Sequence, residues 1–256
     1  LHHYVDEKNQ YYCATLSELI LSVKKSPVGN SLIKRASARI NKFFDQVMID
    51  EFQDFREYDY DLITELAKQI DNILLVGDYY QHSVSGMNNS GKPFKKGQKD
   101  VGYKEFLEEL SKKKFEIDET TLAKSRRCSK DVCAFVTEKL GIKMDSADIN
   151  EGQVLPLTDI KSVLDNDHIM KLVYNNASKY TFKATNWSYS KGDTVEEACV
   201  ILSDKCDSIL KDTFSASKIP STTLNKLYVA LTRSKGNLYL ITSKEFKTLK
   251  NNYLKV

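Results

Sequence analysis

Short apolar runs that end in polar residues alternate along this chain with segments whose apolar residues recur at helical spacing. The run Val47–Ile49 leads directly into two acids, Asp50 and Glu51, and the run over residues 73–76 leads into a Gly-Asp-Tyr-Tyr-Gln stretch. Between the two runs, the apolar residues fall on one face of a helix predicted over residues 58–70. Strands that alternate with helices predict the α/β class with parallel sheets.

The same pattern predicts further elements in both halves of the chain. Residues 1–40 are expected to be mainly helical, and residues 82–102, which are rich in Gly, Ser, Asn and Lys, are expected to form a loop. The other elements predicted in the first half are strands over 43–49, 73–76 and 115–117 and a helix over 104–113. Those predicted in the second half are helices over 130–140, 160–165 and 221–233 and strands over 153–157, 180–185, 198–202 and 238–241.

The chain is expected to form two domains, residues 1–120 and residues 121–256. The second block of alternating elements begins near residues 118–125, and the length of 256 residues suits two domains of ordinary size. The net charge of +3 neither demands nor excludes a nucleic-acid partner. Any such partner would therefore need a local basic surface.

The cysteines and the apolar runs point to a protein of the reducing cytoplasm. No Cys-x-x-Cys pair or other metal-ligand spacing occurs, so the thiols are expected to be small buried apolar groups. No apolar run approaches the length of about 18 residues that a membrane span requires. The five cysteines are Cys13, Cys128, Cys133, Cys199 and Cys206.

Two neighbouring strands with polar tips suggest a site at the carboxyl edge of a parallel sheet. Asp50 and Glu51 at the end of a buried strand have the character of acids that hold the Mg²⁺ of a nucleotide. Taken alone, they could equally form an acidic loop that caps the helix beginning near Tyr58. The residues by themselves leave both interpretations open.

Five stretches, in order, resemble the motifs of superfamily 1 helicases of the UvrD type. Asp50-Glu-Phe-Gln-Asp54 resembles motif II, and Gly77-Asp-Tyr-Tyr-Gln81 resembles motif III. Residues 122–127, 185–194 and 227–233 are similar to motifs IV, V and VI. The resemblance implies two RecA-like domains, the first incomplete, with ATP in the cleft between them and single-stranded nucleic acid across both.

The resemblance also implies a role for individual residues in ATP hydrolysis. Asp50 would hold Mg²⁺, Glu51 would orient or deprotonate the attacking water, and Gln81 would sense the γ-phosphate. Arg127 and Arg233 would reach the same phosphate, which suits a planar, permanently charged guanidinium. The alternatives are surface charge for Arg127 and a helix C-terminal cation for Arg233.

Motif V and the tyrosines of motif III are the predicted contacts with nucleotide and nucleic acid. Gly192 is expected near the nucleotide, and Ser190 and Lys191 near nucleic acid. The UvrD pattern has Glu where this chain has Thr194, which is more like the RecD branch and leaves the usual ribose contact in doubt. The aromatic residues expected to stack on bases, with packing inside the domain as the alternative, are Tyr79, Tyr80 and Trp187.

A Gly-x-x-x-x-Gly-Lys-Ser/Thr phosphate loop is missing from residues 1–49. The stretch from Gly86 to Lys92 has the right spacing, but Pro93 replaces the hydroxyl that would bind Mg²⁺, and the stretch follows motifs II and III. Either this is the carboxyl-terminal part of a longer helicase or the protein lost its loop. In both cases we expect these residues alone to hydrolyse ATP poorly or not at all.

Two functions therefore compete, and a third is weak. The first is an ATP-dependent helicase or translocase that acts on single-stranded or partly duplex DNA. The second is a non-catalytic helicase-like subunit that binds nucleic acid or scaffolds a nuclease or defence complex. A GTPase or a kinase fits poorly because the arginine motifs belong to a second sheet.

Overall fold

The computed structural model describes residues 3–24, 31–82, 91–157 and 159–255, and these form two compact units. The first unit contains the described residues up to His82 and those from Gly91 to Ile117. The second contains the described residues from Asp118 onward. Parallel strands flanked by helices occur in both units, so the predicted α/β class is confirmed.

The first unit is built mainly from helices around a small sheet. Its helix α2 begins where the Ser31 side chain accepts a hydrogen bond from the Lys34 amide at 3.2 Å, which is a typical N-cap. Its elements are α1 (Cys13–Ser22), α2 (Leu32–Phe43), β1 (Val47–Ile49), α3 (Glu57–Ala67), β2 (Ile73–Leu75), β3 (Lys95–Lys96), β4 (Lys99–Asp100) and α4 (Tyr103–Lys112).

Strands β1 and β2 pair in parallel, with Ile49 opposite Leu75, so both strands end at the same edge. Ile49 and Leu75 pack against an aromatic core that includes Phe52, Phe94 and Phe106. Side chains alternate between the faces of a strand, and the middle residues Met48 and Leu74 are 68% and 45% exposed. The first unit therefore buries only one face of this sheet.

The second unit holds a larger sheet that is covered on both faces. Its strands follow the order β7-β11-β10-β8-β9, and all pairs are parallel. The elements of the second unit are β5 (Lys124–Ser125), α5 (Lys130–Leu140), β6 (Asp145–Ser146), β7 (Val154–Pro156), α6 (Ile160–Asp165), β8 (Ile169–Val173), β9 (Ala184–Asn186), β10 (Glu197–Ile201), α7 (Ser221–Leu231), β11 (Leu238–Ile241) and α8 (Ser243–Leu249).

The central strands of the second unit are buried almost completely. Leu172, Val200 and Leu238 are 0% exposed, as parallel strands between two layers of helices require. Helix α5 is closed at both ends by its own sequence. Ser129 accepts a hydrogen bond from the amide of Val132, and Gly141 ends the helix with φ of 68°, a conformation that glycine adopts readily.

Several predicted elements match the observed bounds, and others are wrong. The helices over 130–140 and 160–165 and the strand over 238–241 are confirmed. No strand is found over 115–117, and the predicted loop over 82–102 contains the hairpin of β3 and β4. Strand β8 and helix α8 were not predicted. Residues 83–90 of that predicted loop lie outside the described residues.

Among the described residues, no helix has the length and apolar character that a membrane crossing requires.

Candidate nucleotide and nucleic-acid site

The two acids of motif II lie at the tip of β1, where both side chains are exposed. The Glu51 amide donates to Asp50 Oδ1 at 2.7 Å, and the Phe52 amide donates to the Val76 carbonyl at 2.8 Å. Glu51 has a left-handed backbone with φ of 53°, which is uncommon for a residue other than glycine and recurs at functional sites. This turn directs consecutive carboxylates away from the strand and into solvent.

A chain of hydrogen bonds joins Glu51 to Gln81 through the buried side chain of Gln53. The Gln53 amide nitrogen donates to the Glu51 carboxylate, and its Oε1 accepts from the Asp78 amide at 3.0 Å. Asp78 Oδ2 in turn accepts from Gln81 Nε2 at 3.0 Å. Because Gln53 is 2% exposed, water competes little for these bonds, and motifs II and III are held as one network.

Gly77 is required by the close approach of Gln53 to the segment that follows β2. A Cβ atom at this position would lie 2.5 Å from Gln53 Oε1 and 3.2 Å from the Phe52 amide nitrogen. Any larger residue would push Gln53 away from the Asp78 amide. The glycine of motif III therefore has a packing role that the spacing of the motif did not reveal.

Tyr79 is a packing residue of the first unit. Its ring lies 5.7 Å from that of Phe94 and 5.5 Å from that of Phe106, and its hydroxyl donates to the Val101 carbonyl. Tyr80 is half-buried against Tyr103, at 5.7 Å between ring centroids. The arrangement favours the packing alternative for Tyr79, while the predicted base contact of Tyr80 stays a prediction.

The stretch from Gly86 to Lys92 has the spacing of a phosphate loop, but its lysine is bonded to carboxylates. Lys92 Nζ forms an ion pair with Asp61 of α3 at 2.6 Å, and the Lys92 amide donates to the Glu57 carboxylate at 3.1 Å. A phosphate would have to displace both carboxylates. Gly86, the first glycine of the stretch, lies outside the described residues.

Motifs IV, V and VI converge in the second unit around Arg127. Its Nε donates to Thr194 Oγ1 at 2.7 Å, and its Nη1 donates to the Thr232 carbonyl at 3.2 Å. The side chain is half-buried. These contacts favour a positioned arginine over the surface-charge alternative.

Arg233 is 1% exposed and is held by polar groups on several sides. Its Nε donates to the Val229 carbonyl at 2.8 Å, and its Nη1 lies 3.4 Å from the carbonyls of Ser190 and Asp193. Its Nη2 donates to Thr232 Oγ1 at 3.0 Å. The guanidinium thus links motif VI to motif V. The predicted phosphate contact requires an exposed guanidinium, and in this conformation the group is buried.

The arginine cluster lies at the amino edge of the five-stranded sheet. Val195, just before β10, forms a parallel bridge with Ser234, just before β11. Thr194 and Arg233 adjoin these two residues in sequence, so both lie where β10 and β11 begin. Trp187, by contrast, directly follows β9 and lies at the carboxyl edge.

Two of the predicted nucleic-acid contacts in motif V are buried. Trp187 is 0% exposed, and its Nε1 donates to the Leu172 carbonyl at 3.1 Å. Ser190 is 1% exposed, and its hydroxyl donates to the Trp187 carbonyl at 2.8 Å. A base cannot stack on a ring without an exposed face, so the prediction for Trp187 is wrong in this conformation, and the burial of Ser190 likewise leaves no room for the predicted contact.

The remaining part of motif V is accessible. Gly192 is exposed and has φ of 86°, a backbone conformation that favours glycine. Lys191 is half-buried. Tyr189 is 72% exposed and is the accessible aromatic of this motif.

The acids of the first unit suit a magnesium ion that is shared with phosphates. Mg²⁺ in nucleotide sites typically keeps several waters and takes one or two protein carboxylates. Asp50 is exposed, and only its Oδ1 accepts a hydrogen bond among the described residues. In the described part of the chain, no group of three or more His, Cys, Asp or Glu side chains could hold a metal by itself.

Comparison with known protein families supports the resemblance for the first third of the chain. Residues 1–83 match the family model described as the UvrD/REP helicase N-terminal domain. This range includes Asp50, Glu51 and Gln81, so the similarity inferred from motifs II and III is confirmed there. No curated protein matches the chain.

Solved helicases resemble the chain only distantly. An Arterivirus nonstructural protein 10 (helicase) in complex with DNA has 14% identity and a TM-score of 0.46, over 77% of this chain and 39% of that one. The PRRSV helicase has 14% identity and a TM-score of 0.45, over 80% and 36% of the two chains. The chain thus spans well under half the length of both proteins, and likenesses at this level carry no argument about function.

Proposed function

We propose that this chain belongs to a cytoplasmic ATP-dependent helicase or translocase that acts on single-stranded or partly duplex DNA. The observation that carries the proposal is the network from Glu51 through Gln53 and Asp78 to Gln81. It lies within the residues that are similar to the UvrD/REP helicase N-terminal domain. A scaffold has no physical need for an exposed acid pair that is hydrogen-bonded, through Gln53 and Asp78, to a glutamine in the turn that follows the neighbouring strand.

The acids and the glutamine supply the groups that phosphoryl transfer needs. Asp50 would hold Mg²⁺ through its exposed oxygen, and the ion would neutralise charge on the phosphates of ATP. Glu51, oriented by Gln53, would accept a proton from the attacking water. Gln81, fixed by Asp78, would contact the γ-phosphate and report its presence to the rest of the network.

The arginines of the second unit would contribute positive charge to the same reaction. Arg127 keeps part of its guanidinium accessible, so it is the better candidate for a direct phosphate contact. Arg233 would first have to exchange its carbonyl partners for the phosphate. Gly192, with no side chain, would let the backbone of motif V approach the nucleotide.

The test is ATP hydrolysis by the protein expressed from its natural start codon, with and without single-stranded DNA. We expect DNA-stimulated turnover that falls by about 10²–10⁴-fold in Glu51→Gln, the usual contribution of a general base. Asp45→Asn removes an exposed acid two residues before β1 and serves as the matched control. Turnover that survives Glu51→Gln would contradict the assignment of the base.

A second candidate is a non-catalytic helicase-like subunit that binds nucleic acid or scaffolds a partner such as a nuclease. The observation that favours it is the burial of Arg233, whose guanidinium donates to backbone carbonyls and is not accessible to a phosphate in this conformation. Binding of single-stranded DNA without ATP turnover, in a protein that has no phosphate loop upstream, would support this candidate over the motor.

A further inference from the structure

We propose that Thr194 is a positioning residue that aims the guanidinium of Arg127 at a phosphate group. Thr194 occupies the motif V position at which the UvrD pattern has a glutamate. Its hydroxyl oxygen accepts the Nε–H of Arg127 at 2.7 Å. The inference rests on the proposed function, because it names the residue that orients one of the proposed phosphate contacts.

The backbone of Arg127 is fixed independently of its side chain. Asn150 Nδ2 donates to the carbonyls of Arg126 and Arg127, each at 3.0 Å. The Arg127 amide donates to Ser125 Oγ at 3.3 Å. With the backbone held, the direction of the guanidinium depends on the contacts at Nε and Nη1.

Those two contacts define the plane of the guanidinium. Thr194 holds Nε, and the Thr232 carbonyl holds Nη1 at 3.2 Å. Two bonds to different nitrogens of a rigid planar group leave it little rotational freedom. Among the described residues, Nη2 of Arg127 makes no hydrogen bond, so this edge of the fork remains for a ligand.

The charge of Arg127 is also left unneutralised by the described residues. The side chain of Arg127 donates to a hydroxyl and to a backbone carbonyl. None of the ion pairs among the described residues includes it. A half-buried guanidinium without a carboxylate is a strong site for an anion, and a phosphate oxygen fits its fork geometry. Threonine thus orients the arginine without cancelling its charge, which a glutamate at the same distance would do.

The first measurement concerns the hydrogen bond itself. In the 256-residue chain, ¹⁵N NMR should find that the Nε–H of Arg127 exchanges with water more slowly than that of the exposed Arg126. Thr194→Val keeps the shape but removes the acceptor, so it should abolish this difference, and Thr194→Ser should restore it. Equal exchange in wild type and Thr194→Val would overturn the positioning role.

The second measurement concerns the phosphate. In the protein expressed from its natural start codon, Thr194→Val should weaken binding of a fluorescent ATP analogue with Mg²⁺ by about tenfold, the loss of roughly one charge-assisted hydrogen bond. Thr194→Ser should recover most of the affinity. In an Arg127→Lys background, Thr194→Val should have no further effect, since Thr194 acts through Arg127.

The outcomes separate this inference from the proposed function. A wild-type protein that binds no ATP analogue overturns the proposed function, whereas the exchange experiment still decides whether Thr194 orients Arg127. Binding by wild type that Thr194→Val leaves unchanged overturns the inference alone. The inference is also overturned if the effects of Thr194→Val and Arg127→Lys on binding affinity are fully additive. Independent effects would mean that Thr194 does not act through Arg127. The unfolding midpoint from Trp187 fluorescence checks that each variant is folded.

Discussion

The two units place their candidate functional groups in opposite environments. The acids of the first unit are exposed at the tip of a two-stranded sheet, and Glu51 accepts a hydrogen bond from the buried Gln53. In the second unit, Arg233 is buried beside a five-stranded sheet and holds two motifs together. The acids are therefore available for chemistry and contribute little to stability, whereas Arg233 is part of the structure that it would have to leave in order to bind phosphate.

The largest expected loss of unfolding free energy follows from the deeper burial of the five-stranded sheet. Leu172→Ala empties a fully buried position of β8 and should lower the unfolding free energy of the second unit by about 2–5 kcal/mol. Leu74→Ala at the half-exposed middle of β2 should cost the first unit about 1 kcal/mol or less. Trp187, the only tryptophan, reports unfolding of the second unit, and NMR amide signals of α3 and α4 report the first. Equal losses of unfolding free energy in Leu172→Ala and Leu74→Ala would contradict the difference in burial between the two sheets.

The buried arginine gives the next effect. Arg233→Met removes a buried guanidinium that donates to the carbonyls of Val229, Ser190 and Asp193, so we expect a loss of about 2–4 kcal/mol in the second unit. Arg126→Met, at an exposed arginine, is the matched control and should change stability by about 0.5 kcal/mol at most. Denaturant titrations followed by Trp187 fluorescence measure both. A neutral Arg233→Met would mean that the arginine is not a structural clamp.

Acid should weaken the first unit through His82. This side chain stacks on Phe94 at 4.2 Å, and burial lowers its pKa from 6.5 to about 4. The unfolded chain therefore binds the proton first, and stability that is complete above pH 6.5 is lost as the pH falls toward 4, by about 3 kcal/mol at most. His82→Gln should flatten this loss in pH titrations of the α3 and α4 signals.

The exposed His168 supplies the control for this titration. His168→Gln should leave the acid-induced loss of the first unit intact. A first unit whose stability does not change between pH 6.5 and 4 would contradict the burial of a neutral His82.

The smallest expected loss of stability concerns Gly77, whose lack of a side chain leaves room for Gln53. Gly77→Ala places a methyl group against Gln53 Oε1 and should cost the first unit about 1–3 kcal/mol through overpacking. Gly102→Ala, where an added Cβ meets nothing within 4 Å, should cost much less. The same NMR signals measure both variants. If Gly77→Ala also slows ATP turnover while Gly102→Ala does not, the network through Gln53 is functional as well as structural.

The sequence was sufficient for elements whose pattern agrees with their environment. Helix α5 combines a serine cap, an apolar face and a terminal glycine, and its predicted bounds are confirmed. Strand β8 was missed because Lys171 interrupts its apolar run. In the structure this lysine is 0% exposed, and its Nζ donates to the Asn166 carbonyl at 2.6 Å. The sequence alone does not distinguish a buried lysine whose ammonium donates to a backbone carbonyl from a lysine exposed to solvent.

Helix α8 has a start signal in the sequence that does not depend on apolar periodicity. Helix α8 begins with a capping box in which Thr242 and Glu245 bond reciprocally, and the Thr-x-x-Glu spacing is a known start signal. Phe115–Ile117 alternates like a strand, but among the described residues it has no pairing partner.

The candidate site was predictable in its residue types and less so in its contacts. The motifs identified the acids and Gln81, which the structure joins into one network. The burial of Trp187 and Arg233 depends on tertiary packing, so motif spacing could not reveal it. Thr194 gave a signal only as a departure from the UvrD pattern, and its contact with Arg127 became evident from the structure.

A helicase motor is distinguished from a binding subunit by DNA-stimulated ATP turnover of wild type, Glu51→Gln and Arg127→Ala, all expressed from the natural start codon. We expect turnover in wild type and a loss of at least about 100-fold in each variant. The amide signals of α3 and α4 should show the first unit of Glu51→Gln to be folded, and Trp187 fluorescence should show the same for the second unit of Arg127→Ala. Full turnover in either variant would contradict the claim that the exposed acids and the positioned arginine serve one reaction.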